Sequence, residues 1–231
     1  MSSPCLRVDL GRRDYREIWE LQHALVKARQ AGQIPDLLLF VEHPPTYTLG
    51  RGGKREHLLI SEEELPRLGA SLVETDRGGD ITYHGPGQIV GYPIVDLKQI
   101  EPDVHQYLRR LEEVLIRSLA GFGLATHRSE GFTGVWHREG KIAAMGVRIS
   151  RWVTSHGFAL NVSTDLAYFN HIVPCGIVDR RVTSMEAILR KPVILSSVKD
   201  VIAAEFGRLF GRGMLAFSEK ALFQDSYVQV G

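Results

Sequence analysis

The sequence predicts an α/β (α+β) fold, a mixed β-sheet flanked by helices, and three observations carry that prediction. Two long stretches, 14–31 and 103–122, repeat apolar residues at helical spacing. A short continuous apolar run, Leu37 to Val41, has the pattern of a strand covered on both faces. A third stretch, 133–162, alternates apolar with small or polar residues and is broken by turn residues.

Taken in order, a strand around Leu6 to Leu10 precedes the first helix, where Ile18, Leu21, Leu25 and Ala28 share one face and Gly32 provides a stop. Leu37 to Val41 then ends at Pro44 and Pro45, and the segment from His43 to Glu56 reads as a basic, glycine-rich loop. Ser61 with Glu64 forms a capping-box pattern for a short helix, and Ser71 to Glu74 is a strand. In the second long helix Val104, Tyr107, Leu108, Leu111, Leu115 and Leu119 align, with Gly121 and Gly123 at its end. Strands follow at Thr133–His137, Lys141–Ser150 and Trp152–Val162. Strict alternation puts Lys141 on one face with Ala143, Met145 and Val147, and makes Ser155, Gly157, Ala159 and Asn161 a small row that leaves room above the sheet. Thr183 and Glu186 then cap a short helix, and 198–210 forms another. With no repeat, linker or composition break, residues 1–231 read as one domain.

The chain has 231 residues, 44% hydrophobic and 24% charged, with a formal charge of +1, values of a globular protein without the electrostatic footprint of a nucleic-acid or membrane binder. Only two cysteines occur, Cys5 and Cys175, too far apart and too few for a disulfide framework or a zinc site. Together with the lack of a leader pattern or a bilayer-length apolar run, this places the protein in the cytoplasm. No HxH or HExxH spacing indicates a metal, and no GxGxxG or GxxxxGK pattern a nucleotide, so no cofactor is expected.

The stretch Arg77 to Leu97, RGGDITYHGPGQIVGYPIVDL, sets Thr82, Tyr83, His84 and Gln88 among glycines, so that backbone can form the wall of a narrow slot; a surface turn between two strands has the same look. Cys175, between Pro174 and Gly176, is a candidate nucleophile as well as a candidate inert small residue. A thiol needs help to ionise at neutral pH, and Lys141 is one candidate partner: an ammonium beside sulfur lowers the thiol pKa, and a desolvated lysine can take the proton. His84 is the rival partner, with His43, His156 and His171 further possibilities, and Lys141 also suits an exposed strand edge.

Together RGGDITYHGPGQIVGYP, GKIAAMGVRIS, HGFALNVSTDL and PCGIVDRRVTSM, with HPPTYTLGRGG ahead of them, resemble the lipoyl(octanoyl) transferases in order and separation. The resemblance implies a domain like the catalytic unit of biotin and lipoate protein ligases. It implies transfer of an octanoyl or lipoyl group from acyl carrier protein to the ε-amino group of a lysine on lipoyl domains of 2-oxo acid dehydrogenases and of the glycine cleavage H protein. Cys175 would carry the acyl thioester and Lys141 would activate it. The acyl site would be lined by Arg77, Gly78, Gly79, Asp80, Ile81, Thr82, Tyr83 and His84, by Ala144, Met145 and Gly146, and by Gly157, Phe158 and Ala159, with no catalytic duty for Asp80. Arg51, Lys54, Arg55, Arg148, Arg151, Arg180 and Arg181 are candidate docking groups for an acidic carrier. The competing readings are an ATP-dependent lipoate ligase and a noncatalytic acyl-binding module.

Overall fold

In a computed structural model, which describes residues 3–173 and 181–224, two sheets carry the architecture. The large one contains β1 (Ser3–Arg12), β2 (Asp36–Glu42), β6 (Gln88–Ile94), β7 (His127–Ser129), β8 (Phe132–His137), β9 (Gly140–Ser150), β10 (Val153–Asn161) and β11 (Arg212–Ala216), in the order β11-β1-β2-β6-β10-β9-β8-β7. Strand β1 runs parallel to β11 and β2, and from β2 onward the neighbours are antiparallel. The small sheet, in the order β4-β3-β5, consists of β3 (Thr46–Leu49), β4 (Ser71–Glu74) and β5 (Ile81–His84).

Helix α1 (Tyr15–Gln30) starts where the Asp14 carboxylate accepts from the amides of Arg16 and Glu17, and buries Ile18, Leu21 and Leu25 against one face of the large sheet. On the opposite face lie α2 (Val104–Ala120), capped by Asp103, and α4 (Leu195–Phe210), packed with Phe40, Phe158 and Leu160. Between them in sequence is α3 (Met185–Leu189), and α5 (Glu219–Gln224) ends the described chain. The mixed sheet with helices on both faces is the predicted class. No helix among the described residues is long and apolar enough to cross a membrane.

Several local expectations are corrected. The segment 43–56 is not all loop: β3 lies inside it, and Tyr47 is fully buried between β4 and β5. Four residues are too few to show a periodicity, so only the pairing partners reveal the strand. The cap of α3 is Ser184, whose hydroxyl accepts from the Ala187 amide, while the Glu186 carboxylate accepts from Val193. Strict alternation in β9 also fails at its start. Val135 pairs with Ala143 and Trp136 with Lys141, so Ile142 is the extra residue of a β-bulge, and Ile142 and Ala143 both enter the core beneath α2. Lys141 is thereby turned to the face of Ala144 and Gly146, away from Met145 and Val147.

Where β6 crosses β10, the Phe158 ring lies over Gly91, and a methyl group added there would stand 2.1 Å from Phe158 Cζ. Gly91→Ala should therefore overpack the core and lower stability by about 1–3 kcal/mol. Urea unfolding measures the loss, and an unchanged midpoint would contradict the packing described.

Candidate acyl site

Two glycine loops are zipped together before the site begins. The amides of Arg51 and Gly52 donate to the carbonyls of Arg77 (3.0 Å) and Gly79 (3.1 Å), tying the loop after β3 to the stretch before β5. Arg77 is buried and stitches the same place from within: Nη2 donates to the carbonyls of Thr48 (2.6 Å) and Asp80 (2.7 Å) and to Thr48 Oγ1 (2.9 Å). The Thr48 hydroxyl accepts from Arg77 and donates to His84 Nε2 at 3.4 Å. On its other side His84 Nδ1 donates to Gln88 Oε1 (2.8 Å), and Gln88 Nε2 donates to Asn161 Oδ1 (2.9 Å). Asn161 Nδ2 then donates to the Thr183 carbonyl at 3.1 Å. The donors and acceptors of this buried chain fix one tautomer of His84 and link the small sheet to β10 and the segment after it.

The cavity beside this chain takes in about 780 Å³ when the open solvent space at its mouth is counted. Its walls include Arg77, Gly79, Asp80, Ile81, Thr82 and His84 from the glycine-rich stretch, Lys141, Ala144, Met145 and Gly146 from β9, and Gly157, Phe158 and Ala159 from β10. Gly78 and Tyr83, expected among them, do not line it. Gly78 is engaged with β9, its amide donating to the Val147 carbonyl (2.9 Å). Tyr83 alternates to the far side of β5, where it stacks on Tyr168 with centroids 4.6 Å apart. Asp80 is held by His57, whose Nδ1 lies 2.6 Å from its carboxylate. Within the small row of β10, Gly157, Ala159 and Asn161 face the cavity, and Ser155 faces a neighbouring groove.

Tyr15, Gln88, Tyr92, His156, Asn161, Phe169 and Val182 also line the cavity, and the sequence reading did not assign them to it. Asn161 was within reach, standing in the small row. His156 was not: it has φ +55°, and this left-handed backbone turns the ring to the cavity face against the alternation of the strand. The turn is held from both sides, the His156 amide donating to Gln22 Oε1 (2.7 Å) and Nε2–H to Asp76 Oδ1 (2.7 Å). Asp76 also receives the Trp19 indole N–H (3.0 Å), His23 and the Arg148 guanidinium. Burial would raise its carboxyl pKa, but the His156 bond, Arg148 and Trp19 outweigh burial and hold it well below the usual range. Burial lowers the His156 pKa in spite of Asp76, so the ring is a neutral donor at physiological pH.

Lys141 sits at the other end. Its side chain packs across Gly134, with Nζ 5.2 Å from the Trp136 ring centroid. Its main chain is locked to the strand-like piece 181–183: the Lys141 amide donates to the Arg181 carbonyl, and the Thr183 amide to the Lys141 carbonyl, both at 2.9 Å. Cys175 lies outside the described residues, which stop at Val173 and resume at Arg181. Val173 is itself fixed, its amide donating to the His57 carbonyl at 2.8 Å. His84, the rival partner for the thiol, is fully engaged with Thr48 and Gln88, and burial followed by the neighbouring His43 drives its pKa well down. Of the candidate docking groups, Arg55 pairs with Glu62 and Glu74, and Arg148 with Asp76.

A mixed sheet whose small residues floor a slot between glycine loops places the chain in the fold class of the lipoate-protein ligases. A crystal structure of lipoate-protein ligase A bound with ATP superimposes with a TM-score of 0.79 at 17% identity, covering 98% of this chain and 94% of the other. The model of the lipoyl protein ligase A/B catalytic domain matches residues 14–207, and the chain belongs to that family. It is 52% identical over 213 residues to an octanoyltransferase of Koribacter versatilis, covering 90% of this chain and 85% of the relative. It is 50% identical over 219 residues to an octanoyltransferase of Christiangramia forsetii, covering 87% and 94%.

Beside His84, with ring centroids 5.8 Å apart, His43 is buried. Its Nδ1–H donates to the Arg13 carbonyl and its Nε2 accepts from the Tyr92 hydroxyl, both at 2.8 Å, and burial pushes its pKa down to about 4. A histidine held neutral in the fold favours the unfolded chain once the pH drops below its ordinary value. Stability should fall as the pH goes from 6.5 to 4, by up to about 3 kcal/mol from this residue. Thermal midpoints of the native protein and of His43→Asn across that range test it: the variant should show a flatter dependence, and parallel curves would refute the assignment.

Proposed function

We propose that this protein is an octanoyltransferase that moves an octanoyl (or lipoyl) group from acyl carrier protein to the ε-amino group of a lysine on a lipoyl domain, through an acyl thioester on Cys175. The reading has the whole chain acting as one catalytic domain in the cytoplasm. It rests on the family, on relatives about half identical over most of the chain, and on one geometric observation: the main chain of Lys141 is bonded to residues 181–183, which follow directly on the segment carrying Cys175.

The chemistry follows from the groups present. Lys141 takes the proton from Cys175, and the thiolate attacks the carbonyl of the carrier thioester. The tetrahedral intermediate collapses by expelling the carrier's thiolate, which receives that proton from Lys141. One thioester replaces another, so ATP is not consumed. The acceptor lysine amine then attacks the Cys175 thioester, Lys141 accepts a proton from that amine, and the Cys175 thiolate leaves as the amide forms. The acyl chain lies along Ala144, Gly146, Gly157 and Ala159, whose small side chains leave room for it. The donor is octanoyl-acyl carrier protein, and the acceptors are the lipoyl domains of 2-oxo acid dehydrogenases and the glycine cleavage H protein.

Intact mass measurement after mixing with octanoyl carrier protein should show one hydroxylamine-labile octanoyl adduct, absent in Cys175→Ser. Lys141→Ala should fold and form the adduct about a hundredfold or more slowly at neutral pH. Transfer to a lipoyl domain by Cys175→Ser at the native rate would sink the thioester route, and an unchanged rate in Lys141→Ala would remove the lysine from it. Transfer from free octanoate and ATP alone would instead identify a ligase.

A further inference from the structure

The register of β9 and β10 gives the cavity a direction. Pairings run from Ala143 with Leu160, through Ala144 with Ala159 and Gly146 with Gly157, to Arg148 with Ser155. Lys141 and Asn161 therefore stand at one end and His156 at the other. Beyond His156 the same face of the sheet continues into a second groove, lined by His23, Lys27, Gln30, Arg148, Arg151 and Ser155. What separates cavity from groove is Asp76, bonded to His156 on the cavity side and to Arg148 and His23 on the groove side.

We infer that this Asp76-centred partition, with the His156 ring as its inner face, is the stop that sets the length of acyl chain the site accepts. The inference rests on the acyl-transfer reading above and adds the residues that decide which chain is transferred. Three observations support it. His156 is 1% exposed and kept in left-handed backbone, a conformation that costs about 1–2 kcal/mol for a residue with a Cβ. That backbone turns the ring to the cavity wall, where the alternation of the strand would have put it on the opposite face. Second, the carboxylate that holds that ring is itself held by three other groups: Trp19 and His23 of α1 and Arg148 of β9. Third, the spacing fits. Asn161 to His156 spans about 16 Å at roughly 3.3 Å per residue. The reacting thioester and the imidazole take several Å at the two ends, and an extended chain advances roughly 1.3 Å per carbon, a bond of about 1.5 Å projected on its axis, so room runs out at about eight carbons.

Moreover, His156 Nδ1 is buried without a hydrogen-bond partner among the described residues. A polar atom beyond the small residues of β9 and β10 marks where an apolar chain stops gaining from further entry.

The test compares octanoyl and dodecanoyl carrier protein as donors. His156→Gly keeps the left-handed backbone at no steric cost and removes the stop. It should raise the dodecanoyl-to-octanoyl ratio of transfer rates at least tenfold, whereas His156→Asn, which tolerates the same backbone and retains a polar side chain, should keep the native ranking. Arg148→Ala, acting from the groove side, should shift the ratio in the same direction and serves if His156→Gly does not fold. Folded, octanoyl-active His156→Gly or Arg148→Ala with the native ratio would overturn the inference. Loss of octanoyl transfer in the native protein would instead defeat the transferase reading. The partition is then read by thermal protection: dodecanoate should protect the opened variant more than the native protein, and equal dodecanoate shifts would overturn it.

Discussion

The interaction on which the site depends is a buried line of hydrogen bonds: Arg77 to Thr48, Thr48 to His84, His84 to Gln88, Gln88 to Asn161, and Asn161 to the Thr183 carbonyl. Each side chain in it is buried, so each must be satisfied inside the protein or incur the cost of an unpaired polar group, about 1–3 kcal/mol. That constraint makes the arrangement cooperative. The small sheet, the large sheet and the segment after β10 hold one relative position because the donors and acceptors between them match only in that position. The cavity is the space left beside this line.

Around that fixed wall the two ends of the cavity are built differently. At the Lys141 end the structure is main chain on main chain, with Lys141 Nζ over an aromatic ring. At the His156 end it is a set of charged and aromatic side chains converging on one carboxylate. The middle joins the small residues of β9 and β10 with Thr82, Met145 and Phe158. Under the acyl-transfer reading, a lysine at one end and a carboxylate cluster at the other suit a chain that reacts at one terminus alone.

Much of this was legible in the sequence, and the parts that were not share a physical cause. Both long helices and the β8 to β10 run announce themselves by periodicity, because each is long enough to repeat its pattern, and the buried β2 by its unbroken apolar run. The motif blocks located most of the cavity walls. What periodicity could not show is where it is broken. The bulge at Ile142 depends on pairing with β8, a non-local event, and it alone decides which way Lys141 faces. The left-handed turn at His156 is imposed by Gln22 and Asp76, more than a hundred and about eighty residues away, and nothing beside His156 in sequence signals it. The short strand β3 and the terminal β11, which pairs in parallel with β1 across nearly the whole chain, are likewise products of their partners.

The bonds that place Lys141 belong to peptide groups, so they are indifferent to which side chains occupy 181–183. Bulk constrains the surroundings: a methyl group on Gly140 would stand 2.5 Å from the Arg181 oxygen, Thr183 is buried and Val182 lines the cavity. At the exposed position 181 evolutionary drift is thus free to retune the surface charge while the backbone that carries the lysine stays where it is.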